Sequence, residues 1–263
     1  MPRFLATLLS VLILAGPAWA QDAPPKDQPK EKAKAKTTRR PRPAHADTGR
    51  TYMGREIADV MSYLGADWLV RPEREQEEQP EAMLDALKIK AGDTVADIGA
   101  GVGYTSARIS KRVGPKGAVL ATDVQPQMIK LLRENMRTLG ITNVKAIPCT
   151  PTETKLPDNT VDLAIMIDVY HECSDPVATL KGIRKALKPG GRLVLVEFRA
   201  EDPDVPIKPE HKMTVTQVKK EIEPQGFAFK ELHDFLPWQH IIIFEKPARE
   251  KAEASKDTGV EAK

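Results

Sequence analysis

The sequence predicts an α/β protein with a doubly wound, mostly parallel, seven-stranded sheet that has an antiparallel strand near one edge. Strand-like apolar runs alternate with segments of helical periodicity over residues 80–246, as in parallel sheets covered on both faces. An apolar run at residues 94–98 ends in three alternating glycines and is followed at once by a helical pattern. The last two predicted strands are separated by five residues, too few for a crossover helix, so we expect them to be antiparallel neighbours.

The first 20 residues are predicted to be a secretory signal peptide. Arg3 precedes an apolar run at residues 4–16, and Ala18-Trp19-Ala20 matches the small-residue pattern of a cleavage site. Cleavage would make Gln21 the first residue of an exported protein, periplasmic or secreted. The run is short for a membrane span, but an uncleaved N-terminal membrane anchor stays open as the alternative.

Residues 21–50 are predicted to be a disordered basic tether. They contain five prolines and nine Lys or Arg against four Asp or Glu, with almost no large apolar side chain. Such a tether could touch anionic surfaces, although a merely solvated linker is the simpler interpretation. The chain carries +3 in total, and the tether with Arg3 carries +6, so residues 51–263 carry −3. The predicted folded part therefore lacks the basic surface expected of a specific nucleic-acid-binding domain.

The remaining elements are predicted in order along the chain. Ile57, Val60, Met61 and Leu64 fall at helical spacing, so an amphipathic helix is predicted over residues 52–64. It belongs to a helical extension, residues 51–79, that precedes the main domain and is hypothesised to form a lid over the cofactor. Within that domain, helices are predicted at residues 80–88, 104–113, 126–139, 175–187 and 214–223. Strands are predicted at 94–98, 118–122, 144–147, 161–167, 192–198, 227–232 and 238–244. A turn is predicted at residues 188–191, just before the strand 192–198. Residues 247–263 are predicted to be a flexible charged tail.

Several motifs within residues 80–246 together resemble the class I S-adenosylmethionine-dependent methyltransferases. They are Asp97-Ile-Gly-Ala-Gly-Val-Gly103, Asp123 at the end of the next strand, residues 156–163, residues 187–197 with Lys-Pro-Gly-Gly, and the antiparallel strand pair. The resemblance implies a Rossmann-like methyltransferase fold and S-adenosylmethionine as cofactor. It also implies in-line transfer of a methyl group to a small-molecule or protein acceptor, in which the protein mainly positions the reactants.

The glycine turn itself favours S-adenosylmethionine over a dinucleotide. Its spacing is G-x-G-x-G, and Tyr104 stands where a dinucleotide fingerprint has its third glycine. Asp97 lies two residues before the turn, where a carboxylate would repel a pyrophosphate but attract an ammonium or a sulfonium. Asp123 lies 20 residues beyond Gly103, where it can accept hydrogen bonds from both ribose hydroxyls. A role as helix N-cap is the alternative for Asp123.

The resemblance also assigns roles to individual residues. Asp97, Gly99 and Gly101 are expected at the methionine part of the cofactor, and Gly103 is expected to allow close helix packing. Cys149-Thr150 stands where the family often has an acidic residue followed by a small one, which leaves the adenine contact open. Asp168 is expected near the transferable methyl, with a solvated strand-end carboxylate as the alternative. The predicted cofactor-binding residues are Asp97, Gly99, Ala100, Gly101, Gly103, Asp123, Val124, Cys149, Thr150 and Asp168.

The acceptor side is predicted from topology, because ligands bind beyond the carboxyl ends of the strands. This rim should include His171, Glu172, Arg199, His211, Lys212, His233 and His240. We take His171, three residues beyond Asp168, as the candidate base, and Asp168 and His171 as the candidate catalytic pair. No metal is predicted, since a site made of His171, His211 and His240 has no recognisable ligand spacing. Cys149 and Cys173 are expected to be free thiols, with a bridge between them left open.

Two rival functions stay open at this point. One is an exported binding module that keeps the fold without catalysis, an alternative made serious by the export signal, because S-adenosylmethionine is made in the cytoplasm. The other is an NAD(P)-dependent oxidoreductase, which the glycine spacing disfavours. The sequence does not indicate an oligomeric state.

Overall fold

A computed structural model of the chain describes residues 49–248. The predicted signal peptide, nearly all of the basic tether and most of the charged tail lie outside the described residues. The strands are β1 (Thr51–Tyr52), β2 (Arg55–Glu56), β3 (Thr94–Ile98), β4 (Ala118–Asp123), β5 (Val144–Pro148), β6 (Val161–Ile167), β7 (Leu187–Arg199), β8 (Lys212–Met213), β9 (Ala228–His233) and β10 (Gln239–Glu245). The α-helices are α1 (Arg74–Glu77), α2 (Pro80–Ala86), α3 (Tyr104–Val113), α4 (Pro126–Thr138), α5 (Pro176–Ala186) and α6 (Val215–Ile222).

The main sheet has the strand order β5-β4-β3-β6-β7-β10-β9, and β8 pairs with the end of β7. The pairs among β3, β4, β5, β6 and β7 are parallel, whereas β10 runs antiparallel to both β7 and β9. The order reverses between β3 and β6, which is the switch point where doubly wound sheets bind ligands. The predicted mostly parallel sheet, with an antiparallel strand near its edge, is confirmed. The short β8 makes it eight-stranded.

Both faces of the sheet are buried, as the continuous apolar strands predict. Neighbouring residues of one strand belong to different core clusters: Val95 packs with Leu163 and Val194, and Ala96 packs with Ala164 and Leu193. The helices that cover these faces begin where the sequence indicates.

Polar side chains cap two of these helices. Asp175 accepts a hydrogen bond from the Ala178 N–H at 2.9 Å, and Thr214 accepts one from the Gln217 N–H at 3.0 Å, so each caps its helix.

The helix predicted over residues 52–64 is wrong. Residues 51–56 form the β1–β2 hairpin, the chain is then irregular, and a 3₁₀-helix spans Tyr63–Val70. The helical spacing was misleading because its apolar residues share no buried face: Ile57 is 3% exposed, whereas Leu64 is 79% exposed. The extension is nevertheless partly helical, through this 3₁₀-helix and α1. No helix of the described part of the chain is long and apolar enough to span a membrane.

A second correction concerns the turn predicted at residues 188–191, which lies within β7 rather than before it. Backbone bonds continue the strand there: the Gly190 N–H donates to the Lys246 carbonyl, and the Lys246 N–H donates to the Gly191 carbonyl, each at 2.8 Å. Pairing with the chain beyond β10 therefore extends the strand through the glycines.

Candidate functional site

A cavity of about 580 Å³ opens at the carboxyl ends of the parallel strands. Its floor comes from the residues that follow β3, β4 and β6, including Gly99, Gly101 and Asp168. Its cover comes from the extension, through Met61, Trp68 and Leu69. Other lining residues are Asp123, Val124, Cys149, Thr150, His171, Glu172 and His211. Most of the predicted site residues therefore share one cavity of the size that holds a drug-sized ligand.

The glycine turn after β3 packs tightly against its surroundings. Gly101 has a φ of +54°, and a Cβ added there would lie 2.7 Å from Leu69 Cδ1 in the cover. Gly103 has a φ of +85°, and its added Cβ would lie 2.9 Å from Met136 Cε on α4. Both positions therefore favour glycine, because the positive φ strains other residues and an added Cβ would displace the end of a neighbouring side chain. Gly103 lies close against α4, in agreement with the helix packing expected of it.

Two buried carboxylates flank this turn. Asp97 lies behind it and accepts a hydrogen bond from Ser106 Oγ at 2.6 Å. Burial raises the pKa of Asp97 to about 6. Asp123 accepts from the Gly101 N–H at 3.0 Å and from the Gln125 N–H at 2.8 Å, and burial raises its pKa. Asp123 lines the cavity and Asp97 does not.

The other predicted cofactor residues divide between the cavity wall and the turn behind it. Val124, Cys149 and Thr150 line the cavity, next to Asp123. Ala100 does not line it, and its N–H donates to the Thr122 carbonyl at 2.9 Å, which ties the glycine turn to β4. Cys149 and Cys173 are free thiols, as expected, and both face the cavity.

Asp168, directly after β6, has an unusual backbone and an incompletely bonded side chain. Its φ is +54°, a left-handed conformation that is strained for most residues. Oδ2 accepts from Gln239 Nε2 at 2.7 Å, whereas Oδ1 is buried without a hydrogen-bond partner among the described residues. Burial raises the pKa of Asp168 well above its ordinary value. Asp168 is thus a buried carboxylate on the cavity wall with one free oxygen.

His171 lies at the acceptor end of the cavity within a chain of polar groups. Its Nδ1 lies 2.5 Å from Glu197 Oε2, and its Nε2 lies 3.0 Å from His211 Nδ1. Burial lowers the pKa of His171 to about 4 and raises that of Glu197 to about 8. Both pKa shifts favour the uncharged forms, so a neutral imidazole and a carboxyl group share the proton of the hydrogen bond between them. Glu172, whose pKa burial raises to about 7, lies beside both histidines.

The extension lies over the cavity and bonds to both of its ends. The Met61 N–H donates to Glu172 Oε1 at 3.3 Å, and the Met61 carbonyl accepts from Gln125 Nε2 at 2.9 Å. Arg55 Nη1 donates to the His171 carbonyl at 3.0 Å. Part of the extension therefore covers the cavity, and its role as a lid over a bound cofactor stays a prediction.

Arg74 anchors the rest of the extension. It pairs with Glu78 at 2.5 Å, donates to the Leu69 carbonyl at 2.8 Å, and stacks 4.5 Å from the centre of the Tyr104 ring. Arg74 and Leu69 both line the cavity. Arg71, the other arginine of the lid hypothesis, stacks on Trp68 at 3.5 Å instead.

The comparison with known proteins decides the family. A family model described as a methyltransferase domain matches residues 89–243, more than half of the chain. The chain belongs to the methyltransferase-domain family. The sequence-based assignment to the S-adenosylmethionine-dependent methyltransferases is confirmed.

Curated and solved relatives of this methyltransferase domain agree with that assignment. The ubiquinone/menaquinone biosynthesis C-methyltransferases UbiE of Pasteurella multocida (strain Pm70) and Enterobacter sp. (strain 638) are 34% and 33% identical over 116 residues. Those matches span 44% of this chain but only 43% and 46% of the relatives. An S-adenosylmethionine-dependent methyltransferase from Aquifex aeolicus superposes with a TM-score of 0.68 at 29% identity, covering 71% of this chain and 99% of that one. The [4+2]-cyclase SpnF, at 16% identity, 65% and 80% coverage and a TM-score of 0.56, shares the fold alone.

Not every residue predicted at the rim of this methyltransferase domain reaches the cavity. Arg199 instead donates to the carbonyls of residues 234, 236, 237 and 239, and Lys212 donates to those of residues 202 and 205. His233 and His240 lie at the same end of the sheet but do not line the cavity. The metal set His171, His211 and His240 is therefore not assembled. Among the described residues, His171, Glu172 and His211 are the group with ligand atoms within 4.8 Å of one another.

Two partners of the candidate catalytic pair were missed at the sequence level. Glu197 forms a hydrogen bond with His171, and Gln239 donates one to Asp168. Glu197 is completely buried, and its signal was present: it is a charged residue inside the apolar run 193–198. A charge in a buried strand requires a partner. Gln239 begins β10 and carried no comparable signal.

Proposed function

We propose that this chain transfers the methyl group of S-adenosylmethionine to a carbon atom of a small, largely apolar acceptor. The observation that carries the proposal is that one cavity joins the glycine turn and Asp123 at one end with His171 and its polar partners at the other. The family match and the S-adenosylmethionine-dependent relative of known structure support the cofactor. The UbiE relatives, which are named as C-methyltransferases, support the carbon acceptor.

The residues around the cavity suit this cofactor. When bound, S-adenosylmethionine supplies a methyl group activated by a sulfonium, and transfer leaves a neutral thioether. Asp123 has an acceptor site left for a ribose hydroxyl, because a carboxylate has about four lone-pair sites and the backbone N–H groups of Gly101, Val124 and Gln125 use three at most. The free Oδ1 of Asp168 offers a buried acceptor for a cationic group. Because Gly101 has no side chain, the backbone of the glycine turn can approach a ligand that lies beneath Leu69.

The protein's own contribution is to position the two reactants and to exclude water. The cover bonds to both ends of the cavity, through Gln125 and Glu172, and so separates the reactants from solvent. His171 is the proposed base. Since burial lowers its pKa to about 4, its imidazole is unprotonated near neutral pH. Through His211, which lies 3.0 Å away, it can accept the one proton that the acceptor must lose when its carbon gains the methyl group.

The acceptor class follows from the walls of the cavity. Its lining is dominated by apolar side chains, among them Val60, Met61, Trp68, Met128, Phe198 and Ile207. The polar groups concentrate at the His171 end. A ring that carries a hydroxyl group matches this division, since the ring contacts the walls and the hydroxyl meets the histidines. The names of the UbiE relatives point to the same class, aromatic quinone precursors.

The decisive experiment follows methyl transfer from labelled S-adenosylmethionine to phenols, naphthols and a peptide mixture. We expect label on the aromatic acceptors with the wild type. We expect losses of at least about tenfold with Asp97→Ala and His171→Ala, and little change with the control His233→Ala, which lies outside the cavity. Equal product from all four proteins would refute the site, and label only on peptides would refute the acceptor class.

Calorimetry separates this function from its two rivals. Binding of S-adenosylmethionine but not NAD is expected, and NAD binding alone would favour the oxidoreductase. Cofactor binding without turnover of any acceptor class would favour the non-catalytic module.

We also propose that the protein is exported, on the basis of the predicted signal peptide. Fractionation of cells that express the full chain tests this, and recovery only from the cytoplasm would contradict it.

A further inference from the structure

We propose that His171, Glu172 and His211 form a binding site for a divalent transition-metal ion, with Zn²⁺ as the fitting ion. The site lies on the acceptor side of the cavity. Two imidazole nitrogens and one carboxylate oxygen are a donor set that zinc uses in catalytic sites, where three protein ligands leave one position open. All three residues line the cavity, so an ion held by them would face a bound acceptor.

The spacing of the three donor atoms fits a single ion. His171 Nε2 lies 3.0 Å from His211 Nδ1 and 3.9 Å from Glu172 Oε1, and the latter two atoms lie 3.6 Å apart. The circle through three points at these separations has a radius of about 2.1 Å. Zinc bonds to nitrogen and oxygen are about 2.0–2.2 Å long. An ion near the centre of the triangle would therefore lie at bonding distance from all three atoms, once the two imidazole rings turn from each other toward it.

The groups behind the triangle also match a metal site. Metal-bound histidines usually give their second ring nitrogen to a carboxylate, which fixes the ring and directs the other nitrogen at the metal. Glu197 Oε2 lies 2.5 Å from His171 Nδ1, and Glu197 is itself fixed by the Tyr170 N–H at 3.0 Å. The Nε2 of His211 has the carboxylate of Glu210 on its side, but at 4.0 Å, which is too far for a hydrogen bond, so Glu210 does not give His211 the support that Glu197 gives His171.

Local structure brings the three ligands together from two distant parts of the chain. Residues Tyr170–Glu172 form a 3₁₀ turn directly after β6, which presents His171 and Glu172 side by side. His211 ends a second 3₁₀ turn, Pro209–His211, and β8 follows at once and pairs with the end of β7. The pairing of β8 with β7 therefore fixes His211 opposite His171.

The role of the ion rests on the proposed function. A hydroxyl oxygen of the acceptor that occupies the open position would be held at a fixed place, and its pKa would fall as the metal-bound oxygen shares its electrons. His171 would then act as a ligand, and the hydroxyl proton would be released to solvent as the oxygen binds the ion, so that no separate base would be needed. The binding site itself does not depend on this role.

The experiment measures Zn²⁺ binding to the full chain, prepared without a polyhistidine tag and freed of metal with a chelator. Competition with a chromophoric chelator gives the affinity, and elemental analysis gives the stoichiometry. We expect about one tightly bound Zn²⁺ per chain. His211→Ala and Glu172→Gln should each weaken binding at least about 100-fold, and Glu197→Gln about 10–100-fold. The absorption spectrum of the Co²⁺-substituted protein should show a tetrahedral ion with nitrogen and oxygen ligands.

Two controls keep the outcomes distinct. His233→Ala removes a histidine outside the cavity, and Cys149→Ser removes a thiol within it, and neither should change the affinity for Zn²⁺. Loss of binding with Cys149→Ser, unchanged binding with His211→Ala, or no tight Zn²⁺ would overturn the site. S-adenosylmethionine calorimetry on the same preparation is a separate readout. Zinc without cofactor binding would overturn only the proposed function, and cofactor without zinc binding would overturn only the metal site.

Discussion

Replacing Asp97 by asparagine should stabilise the protein without cofactor while weakening cofactor binding. Asp97 is 3% exposed, and burial raises its pKa from 3.8 to about 6. At about 1.36 kcal/mol per tenfold change in proton affinity, this difference amounts to about 3 kcal/mol. The ionised, buried carboxylate therefore lowers the free energy of unfolding near neutral pH by up to about that amount. The Asp97→Asn variant would avoid this cost, and its amide oxygen could still accept from Ser106.

The sign of the pH dependence follows from linkage. Because the folded state binds the Asp97 proton more tightly, this group contributes stability below about pH 4, and the contribution is lost as the pH rises through about 6. At pH 8 the free energy of unfolding of Asp97→Asn should therefore be about 1–3 kcal/mol higher than that of the wild type. At pH 4 the two proteins should differ by less. The affinity for S-adenosylmethionine should fall at least about tenfold, since the variant loses the negative charge behind the glycine turn that attracts the cofactor's cationic part across it.

Urea denaturation of both proteins at pH 4 and pH 8, without cofactor, measures the first effect, and calorimetry measures the second. Asp204→Asn, at an exposed position, is the matched control and should stay within about 0.5 kcal/mol of the wild type. A variant that is less stable than the wild type at pH 8 would refute the reasoning, because the carboxylate would then be a stabilising group. Unchanged cofactor affinity would refute the role of Asp97 in binding.

Three further predictions test the packing, the extension and the N-terminus. Gly103→Ala should lower the free energy of unfolding by about 1–3 kcal/mol, because the new Cβ would lie 2.9 Å from Met136 Cε. Urea titrations measure this change, and an unchanged urea midpoint would contradict the contact. Arg55→Met should cost about 3–5 kcal/mol, since it leaves the fully buried Glu221 without its ion pair, and Arg55→Met combined with Glu221→Leu should recover most of the loss. An additive double variant would contradict the pairing. Mass spectrometry of the exported protein should find Gln21 at the N-terminus, and an intact Met1 would contradict cleavage.

The sheet could be predicted from the sequence because its signals are local. The central strands β3, β4 and β6 are short apolar runs closed by a glycine or an acid, and the short connection between the last two strands fixed their antiparallel pairing. The extension could not be predicted in this way. Its apolar residues Val60 and Met61 line a cavity instead of packing on one face of a helix. Their spacing therefore did not indicate a helix. Hydrophobic periodicity predicts structure only where apolar residues bury one stripe.

The cofactor half of the site was more predictable than the acceptor half for a related reason. The glycine turn and Asp97 are contiguous in sequence, and Asp123 ends the next strand, so topology alone brings them together. His211 meets His171 across 40 residues through the pairing of β8 with β7, and β8 has only two residues. No periodic pattern marks so short a strand. The sequence therefore indicated His171 and His211 as neighbours of one rim but not as bonded partners.

Met61 bonds to Gln125 at the cofactor end of the cavity and to Glu172 at the acceptor end. A ligand that shifts this one backbone segment at either end changes the free energy of binding at the other. Such coupling is reciprocal, so any factor by which S-adenosylmethionine alters the affinity for an acceptor, or for a metal ion at Glu172, must reappear as the effect of that partner on S-adenosylmethionine. Where that factor favours binding, the protein holds its cofactor most tightly when an acceptor is present.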